Sequence, residues 1–483
     1  MTERMLHFID TDRQPPATRE VKERRKDFRE IYQEFDPKLA ATQSSRCSQC
    51  GVPFCQVHCP LGNNIPDWLK AAAEGRLREA YEMSQATNAM PEICGRICPQ
   101  DVLCEGSCVV EQSGHGTVTI GAVEKFLTET AWKEGWVQPI KPGHPSGLSI
   151  GIIGAGPAGL TAAEIMRTHG HDVVIYDRYD RAGGLLTYGI PNFKLEASVV
   201  DRRIKRLHEA GIALQLKTEI GEDVSFSDLR DRHEAILIGT GVYKFRDLDV
   251  PGADLSGIHA ALDYLITSNR KTYGDTVPAY EDGTLNALGK NIVVIGGGDT
   301  AMDCVRTAIR QGATKVTCLY RRDQANMPGS QREVTNAMDE GVHFDWLAAP
   351  TALVGKDGGK DNVTHVRATR MRLGAAAPGQ RQRIEVVPGT EYEIEADMVI
   401  LALGFDPEDL PKLFHEPLLG VSRWGTIAID PATSQTSMPG VFAAGDIVRG
   451  ASLAVWAIRD GREAARHMNN YLQTQSNAAE AAS

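Results

Sequence analysis

The stretch Ile150–Ile165, IGIIGAGPAGLTAAEI, decides the fold. A short apolar run enters Gly154-x-Gly156-x-x-Gly159, and a helix-forming segment follows from Pro157 to Thr168. Strand, glycine turn and helix in that order open a dinucleotide-binding βαβ unit. Gly154 permits the tight turn, Gly156 lets backbone approach a pyrophosphate, and Gly159 brings helix against strand. Ala155, Pro157 and Ala158 complete the turn, and the helix N-terminus beside them favours phosphate. Asp172-Val-Val-Ile-Tyr176 reads as the second strand and ends in Asp177, an acid suited to accept hydrogen bonds from ribose hydroxyls. Gly184 and Leu185, in the next loop, are further candidates for the same site.

The pattern recurs at Ile292–Ile309, IVVIGGGDTAMDCVRTAI, a domain length further on. This copy carries Gly296-x-Gly298-x-x-Ala301, with Asp299 and Thr300 opening its helix. Asp299 reads as a candidate helix cap. The second strand, Lys315–Tyr320, ends in Arg321-Arg322 rather than an acid. Guanidinium groups suit a 2′-phosphate, so this site is expected to prefer NADPH to NADH; two surface arginines are the plainer alternative. The strand Ile236–Gly239 ends in Thr240-Gly241, and Gly440–Ala444 ends in Gly445-Asp446 ahead of a helical stretch over Ser452–Tyr471. The fold class expected is α/β, with two Rossmann-like dinucleotide-binding domains behind a mainly helical, cysteine-rich one.

The chain has 483 residues, 42% of them hydrophobic, and a net charge of −11, which gives no support for nucleic-acid binding. No run approaches the ~20 apolar residues that span a bilayer, and a cytoplasmic location is expected. Helices are expected over Val21–Phe35, Ile65–Glu74 and Ile120–Lys133. The basic run Lys22–Lys26, closely flanked by acids, reads as a solvated helix face. Pro139, Pro142, Gly143, Pro145 and Gly147 mark a linker. The expected division is 1–145 for the cysteine-rich domain, 146–250 and 406–483 for the first nucleotide domain, and 251–405 for the second.

Of ten cysteines, eight lie between Cys47 and Cys108. They run Cys47-x2-Cys50-x4-Cys55-x3-Cys59-Pro60, then Cys94-x3-Cys98-Pro99-x4-Cys104-x3-Cys108. Short spacings with proline after two of the cysteines fit ferredoxin-type ligation of two [4Fe–4S] clusters. Four-cysteine zinc sites also use short spacings and stand as the alternative. A local reading gives the first four cysteines one cluster and the last four the other, although a cysteine can cross over. Cys304 and Cys318 lack the spacing of a redox pair and read as buried structural thiols.

Gly154–Gly159, Thr240-Gly241 and Gly445-Asp446 resemble the FAD-binding elements of the two-dinucleotide-domain flavoproteins related to thioredoxin and glutathione reductases. The resemblance implies that Asp446 binds the ribityl chain and that Ser452, Leu453 and Ala454 present a helix N-terminus to the flavin. The whole arrangement resembles the small-subunit family of NADPH-dependent glutamate synthase and the N-terminal part of dihydropyrimidine dehydrogenase. It implies interleaved ligation: Cys47, Cys50, Cys55 and Cys108 for one cluster, and Cys59, Cys98 and Cys104 for the other. Glu124, in Ile120–Glu124, is the implied fourth ligand of the second cluster, with Cys94 competing for that place. The implied activity is NADPH oxidation through FAD and the clusters into a large (alpha) subunit carrying FMN, which makes L-glutamate from L-glutamine and 2-oxoglutarate. A hetero-oligomer follows from that. No acid–base catalytic residue is expected, because hydride transfer asks mainly for stacked rings. The rival readings are the electron-input subunit of a pyrimidine dehydrogenase or ferredoxin–NADP oxidoreductase, and a nucleotide-binding redox sensor.

Overall fold

The computed structural model describes residues 5–356, 362–376 and 382–482. Strand Ser149–Ile153 lies in the middle of a five-stranded parallel sheet, between Asp172–Asp177 and Ala235–Ile238. Ala213–Leu216 and Val441–Ala443 form the edges. Ala235–Ile238 is buried on both faces, which is why its sequence is continuously apolar instead of alternating. Helix Pro157–Thr168 packs along the long helix Ala454–Ala482, which starts two residues later than expected and runs further. At their crossing a Cβ on Gly461 would overlap the Ala158 carbonyl oxygen, so only glycine allows this approach.

The second sheet repeats the order. Asn291–Ile295 lies between Lys315–Tyr320 and Met398–Leu401, with His343–Trp346 and Ile258–Ala260 at the edges, all parallel. An antiparallel layer of Ala348–Gly355, Val363–Leu373, Ile384–Val386 and Tyr392–Glu395 follows His343–Trp346. Val366 and Ala368 of that layer share a core with Val293, Leu319 and Val399 of the sheet. The chain enters this unit past Lys244–Phe245 and leaves it through Phe405–Asp406, and these two short strands pair antiparallel. The second unit is therefore spliced into the first.

Ahead of both lie helices Pro37–Ser44, Ile65–Ala73, Leu77–Gln85, Pro91–Ile97 and Ile120–Lys133. They close around Trp68, Leu69, Ile120, Val123 and Leu127. The helix expected over Val21–Phe35 does not form. Only Val21–Arg24 is helical, and the chain then doubles back so that Thr18 bridges Tyr32. Arg24 explains the difference. It is 1% exposed, with Nε 3.2 Å from Glu340 and Nη2 3.4 Å from Asp339 in the second nucleotide unit. The run is anchored through buried Arg24, while Lys22, Glu23, Arg25 and Lys26 stay exposed.

That anchor belongs to a larger network. Arg306 and Glu340, both 0% exposed, pair at 2.9 Å; Arg310 joins Glu340, and Arg306 also binds Glu333. Lys194, from the first unit, reaches Asp303 at 2.8 Å. Phe193 lies against both guanidinium groups, 4.5 Å from Arg306 and 3.9 Å from Arg310. Buried ion pairs add little net stability but are costly to break, so they fix how the units sit together. Among the described residues, no helix is long and apolar enough to cross a membrane.

Candidate functional site

At the first glycine turn Gly154 takes φ 106°, a backbone state few side chains tolerate. A Cβ on Gly159 would overlap the Gly154 carbonyl oxygen, whereas one on Gly156 would meet nothing within 4 Å. The middle glycine therefore faces open space beside the helix N-terminus, where a phosphate group could lie. The Gly183–Gly184 bend closes one side: Gly183 N–H donates to Ala155 O at 2.8 Å, and Leu185 begins the short helix after it.

Asp177 holds this turn as well as facing its pocket. Its Oδ2 accepts from Ala155 N–H at 2.7 Å and its Oδ1 from Tyr179 N–H at 2.8 Å. Burial raises its pKa, and the two amides oppose that shift. Each oxygen retains acceptor capacity for a ribose hydroxyl. Thr240 lines the same pocket with Gly154 and Tyr179, and its hydroxyl is buried without a partner among the described residues. An orphaned hydroxyl beside an open glycine turn fits a polar nucleotide.

Sequence reasoning missed the rest of this pocket. Arg178 makes two hydrogen bonds to Glu408, at 2.9 and 3.1 Å, and lies 4.8 Å from the Tyr243 ring. Tyr179 and Tyr243 face each other at 5.9 Å. None of these belongs to a motif; the signal was only two aromatics and a charge just after strand ends. Gly241 precedes Tyr243 by two residues. Gly445 and Asp446 follow the edge strand, with Gly445 close to Ala158. Asp446 Oδ1 accepts from the Ser452 hydroxyl at 2.6 Å, which ties the loop to Leu453 and Ala454 at the start of the long helix.

The second turn has the same form. A Cβ on Gly296 would overlap Ala402 O, one on Gly298 would meet nothing within 4 Å, and Ala301 is wholly buried. Thr300 and Ala301 lie in the first turn of helix Asp299–Gln311. Asp299 does not cap that helix, contrary to expectation: Gly298 is the cap residue, and Asp299 accepts instead from Ser330 N–H at 3.0 Å. A residue already inside the first turn lies past the position from which a side chain caps. Arg321 and Arg322 follow directly on Tyr320, whose ring lies against Gly297. Arg322 Nη1 is buried without a partner among the described residues, a cationic group fit for an anion.

All eight cysteines of the N-terminal region are free thiols, and they gather in two sets. Cys47, Cys50, Cys55 and Cys108 line one small pocket with Phe54, Leu69 and Ile120. Burial pushes Cys47 up to about 11 and Cys55 up to about 12, with neighbouring thiols of the set adding to both. Cys108 thus joins the first three cysteines, in disagreement with the local grouping. The second set is Cys59, Cys94, Cys98, Cys104 and Glu124. Cys94 and burial raise the Cys98 thiol, burial raises Cys104, and the Glu124 carboxylate adds to both. Burial also lifts Glu124 to about 7, against hydrogen bonds from Asn88 and Ser84. Asn88 was not foreseen: its Nδ2 donates to Glu124 Oε1 at 3.2 Å, and its Oδ1 accepts from Cys94 at 3.7 Å. Such buried thiols ionise when a metal centre takes up their charge, so both sets fit an iron–sulfur group. Cys304 and Cys318 are buried in the second unit, each bonded to a backbone carbonyl.

The comparisons with known proteins match two families along the chain. Residues 24–136 match the family described as dihydropyrimidine dehydrogenase domain II, 4Fe-4S cluster. Residues 148–461 match the pyridine nucleotide-disulphide oxidoreductases. The chain is 61% identical over 476 residues to a glutamate synthase [NADPH] small chain of Azospirillum brasilense, covering 99% of this chain and 98% of that one. It is 45% identical over 471 residues to the corresponding protein of Halomonas elongata, covering 97% and 98%. A solved structure of Mycobacterium tuberculosis FprA in complex with NADPH shares the fold, with TM-score 0.58, 20% identity, and 70% and 87% coverage. With a nucleotide-binding pair of sheets and a cysteine-rich domain matched in one chain, the protein belongs to the pyridine nucleotide-disulphide oxidoreductases and, within them, to the glutamate synthase [NADPH] small-chain family.

Proposed function

We propose that this chain is the electron-input subunit of a glutamate synthase. It is an NADPH-dependent oxidoreductase, and its partner is a large subunit. The observation that carries the reading is the 61% identity over 99% of the chain to a glutamate synthase [NADPH] small chain. The large subunit would carry FMN and make L-glutamate from L-glutamine and 2-oxoglutarate. The same reading puts the chain in the cytoplasm, where thiols stay reduced.

FAD, when bound, supplies the exchange between two-electron hydride chemistry and single-electron transfer. The chain's own residues bind and orient. Gly154–Gly159 would receive the pyrophosphate, Asp177 the ribose, and Thr240, Gly241, Asp446 and Ser452–Ala454 the rest of the flavin nucleotide. Gly296–Ala301 would receive NADPH, with Arg321 and Arg322 on its 2′-phosphate. Cys47, Cys50, Cys55 and Cys108 would hold one cluster, and Cys59, Cys98, Cys104 and Glu124 the second. Both donors to Glu124 engage Oε1, which supports Oε2 as the ligating atom and Cys94 as a spare thiol. Exposed Val52, Phe54 and Val57 flank the first set and favour it as the exit towards the partner. The division at 145, 250 and 405 is part of the same proposal.

Purification with the partner from the native source, followed by an assay of NADPH oxidation, tests the reading. Oxidation that requires both glutamine and 2-oxoglutarate is expected. Oxidation driven instead by a pyrimidine or a ferredoxin, or by no acceptor at all, would overturn it.

A further inference from the structure

Ser330 sits between two carboxylates from distant parts of the chain. Its backbone N–H donates to Asp299 Oδ1 at 3.0 Å, in the second glycine turn. Its hydroxyl lies 2.9 and 3.0 Å from the two oxygens of Asp101. Asp101 belongs to the single turn Gln100–Val102, between Cys98 and Cys104. Asp101 Oδ2 also accepts from the N–H of Gln331, first residue of helix Gln331–Asp339, at 2.8 Å. That helix has no side-chain cap from Ser330, so a carboxylate from the cysteine-rich region satisfies its N-terminus.

The contact is tight on both sides. Gly329 N–H donates to Gly297 O at 3.1 Å, so the segment before the helix lies on the glycine turn itself. A Cβ on Gly106 would overlap the Asp101 carbonyl oxygen, so the winding of the cysteine loop sets where Asp101 stands. Arg332 adds a bond to Gln100 Oε1 at 2.6 Å, and Gln100 Nε2 in turn donates to Cys94 O at 3.2 Å. A free Asp299 carboxylate at a helix N-terminus would compete with phosphate for the same amides. Its bond to Ser330 engages Oδ1 and turns the carboxylate towards that segment.

We propose that Asp101 is a positioning residue for the NADPH site. Through Ser330 it holds Asp299 and the turn Gly296–Gly298 in the arrangement that admits the nucleotide. The inference rests on NADPH binding at that turn. It makes the cysteine loop and the nucleotide site thermodynamically linked: whatever orders residues 98–104 tightens NADP(H), and NADP(H) in turn steadies that loop.

The test uses the full chain, purified anaerobically with its iron and flavin, and NADP+ as the probe. Asp101→Asn should raise the Kd for NADP+ about fivefold, the lower range of such couplings. Iron and flavin contents should stay unchanged, and KM for NADPH should rise with little change in kcat. Ser330→Ala should do the same, and the double variant should be no worse than either single one. The Arg321→Ala/Arg322→Ala variant separates the two levels of the argument. If it weakens NADP+ while Asp101→Asn and Ser330→Ala bind as wild type, the positioning role is wrong and the site assignment stands. If it also binds as wild type, the site assignment itself fails. Should Asp101→Asn lose iron, Ser330→Ala, which leaves the cysteine loop intact, decides alone; wild-type affinity there overturns the proposal.

Discussion

The two nucleotide units share a strand order and a glycine turn but support the helix after the turn in opposite ways. In the first, helix Pro157–Thr168 is backed by apolar small-residue packing, with Gly461 of the long helix against Ala158. Its turn is closed by its own acid, Asp177. In the second, helix Asp299–Gln311 itself carries Arg306 and Arg310, which pair with buried Glu333 and Glu340, and its acid reaches outward to Ser330. A motif specifies the turn, whereas the backing decides what the turn depends on. The first turn closes on its own acid, whereas the acid of the second reaches the segment that Asp101 of the cysteine-rich region also binds.

The largest effect is expected at Glu333. Burial pushes its carboxyl up, but Arg306, Lys194 and Arg332 outweigh that and hold it at about 2, below the ordinary 4.5. A depressed carboxylate contributes stability that is full above about pH 4.5 and is lost as pH falls towards 2. The shift corresponds to on the order of 3 kcal/mol. Glu333→Gln should cost about that much in denaturant unfolding at pH 7 and flatten the acid dependence below pH 4.5. An unchanged acid limb would break the contrast between the units.

Asp177→Ala comes next. It removes the tie to Ala155 and the ribose acceptor together, and FAD affinity should fall about a hundredfold. Flavin retained at the wild-type ratio after gel filtration would show that the first turn closes without its acid. Replacing Arg321 and Arg322 with Ala should weaken NADPH about thirtyfold and leave NADH unchanged. Equal losses in initial-rate KM values would remove the charge reading of the second site. The smallest effect is expected for Gly461→Ala. The added Cβ must displace the Ala158 backbone, while alanine improves helix propensity, for a net cost of about 1 kcal/mol. Thermal unfolding should show that loss together with weaker flavin retention and unaltered NADP+ binding; weakened NADP+ binding would mean that the units are not separately backed.

Much of this was legible in the chain. Both glycine turns, the strands beside them and the contrast between Asp177 and Arg321-Arg322 follow from local order, because βαβ units write their geometry into consecutive residues. The two cysteine sets were legible only through resemblance, since spacing alone groups Cys108 with Cys104 and not with Cys47. Other features had no local signal. Arg24 finds Glu340, and Asp101 finds Ser330, far along the chain, so Arg24 looked solvated like its neighbours and an aspartate looked ordinary. Tyr179, Tyr243 and the Arg178–Glu408 pair lie in loops whose partners only the fold brings together. Asp299 was placed on the right helix but given the wrong partner.

The splice at Lys244–Phe245 and Phe405–Asp406 also governs how the protein is made. A ribosome delivers the whole second sheet before Val441–Ala443 and the long helix emerge to finish the first. Until then Ala235–Ile238 is an open strand edge, and helix Pro157–Thr168 lacks its cover. Flavin capture is thus one of the last events of biogenesis, and a nascent chain stalled before residue 441 exposes a sticky edge for chaperones to guard.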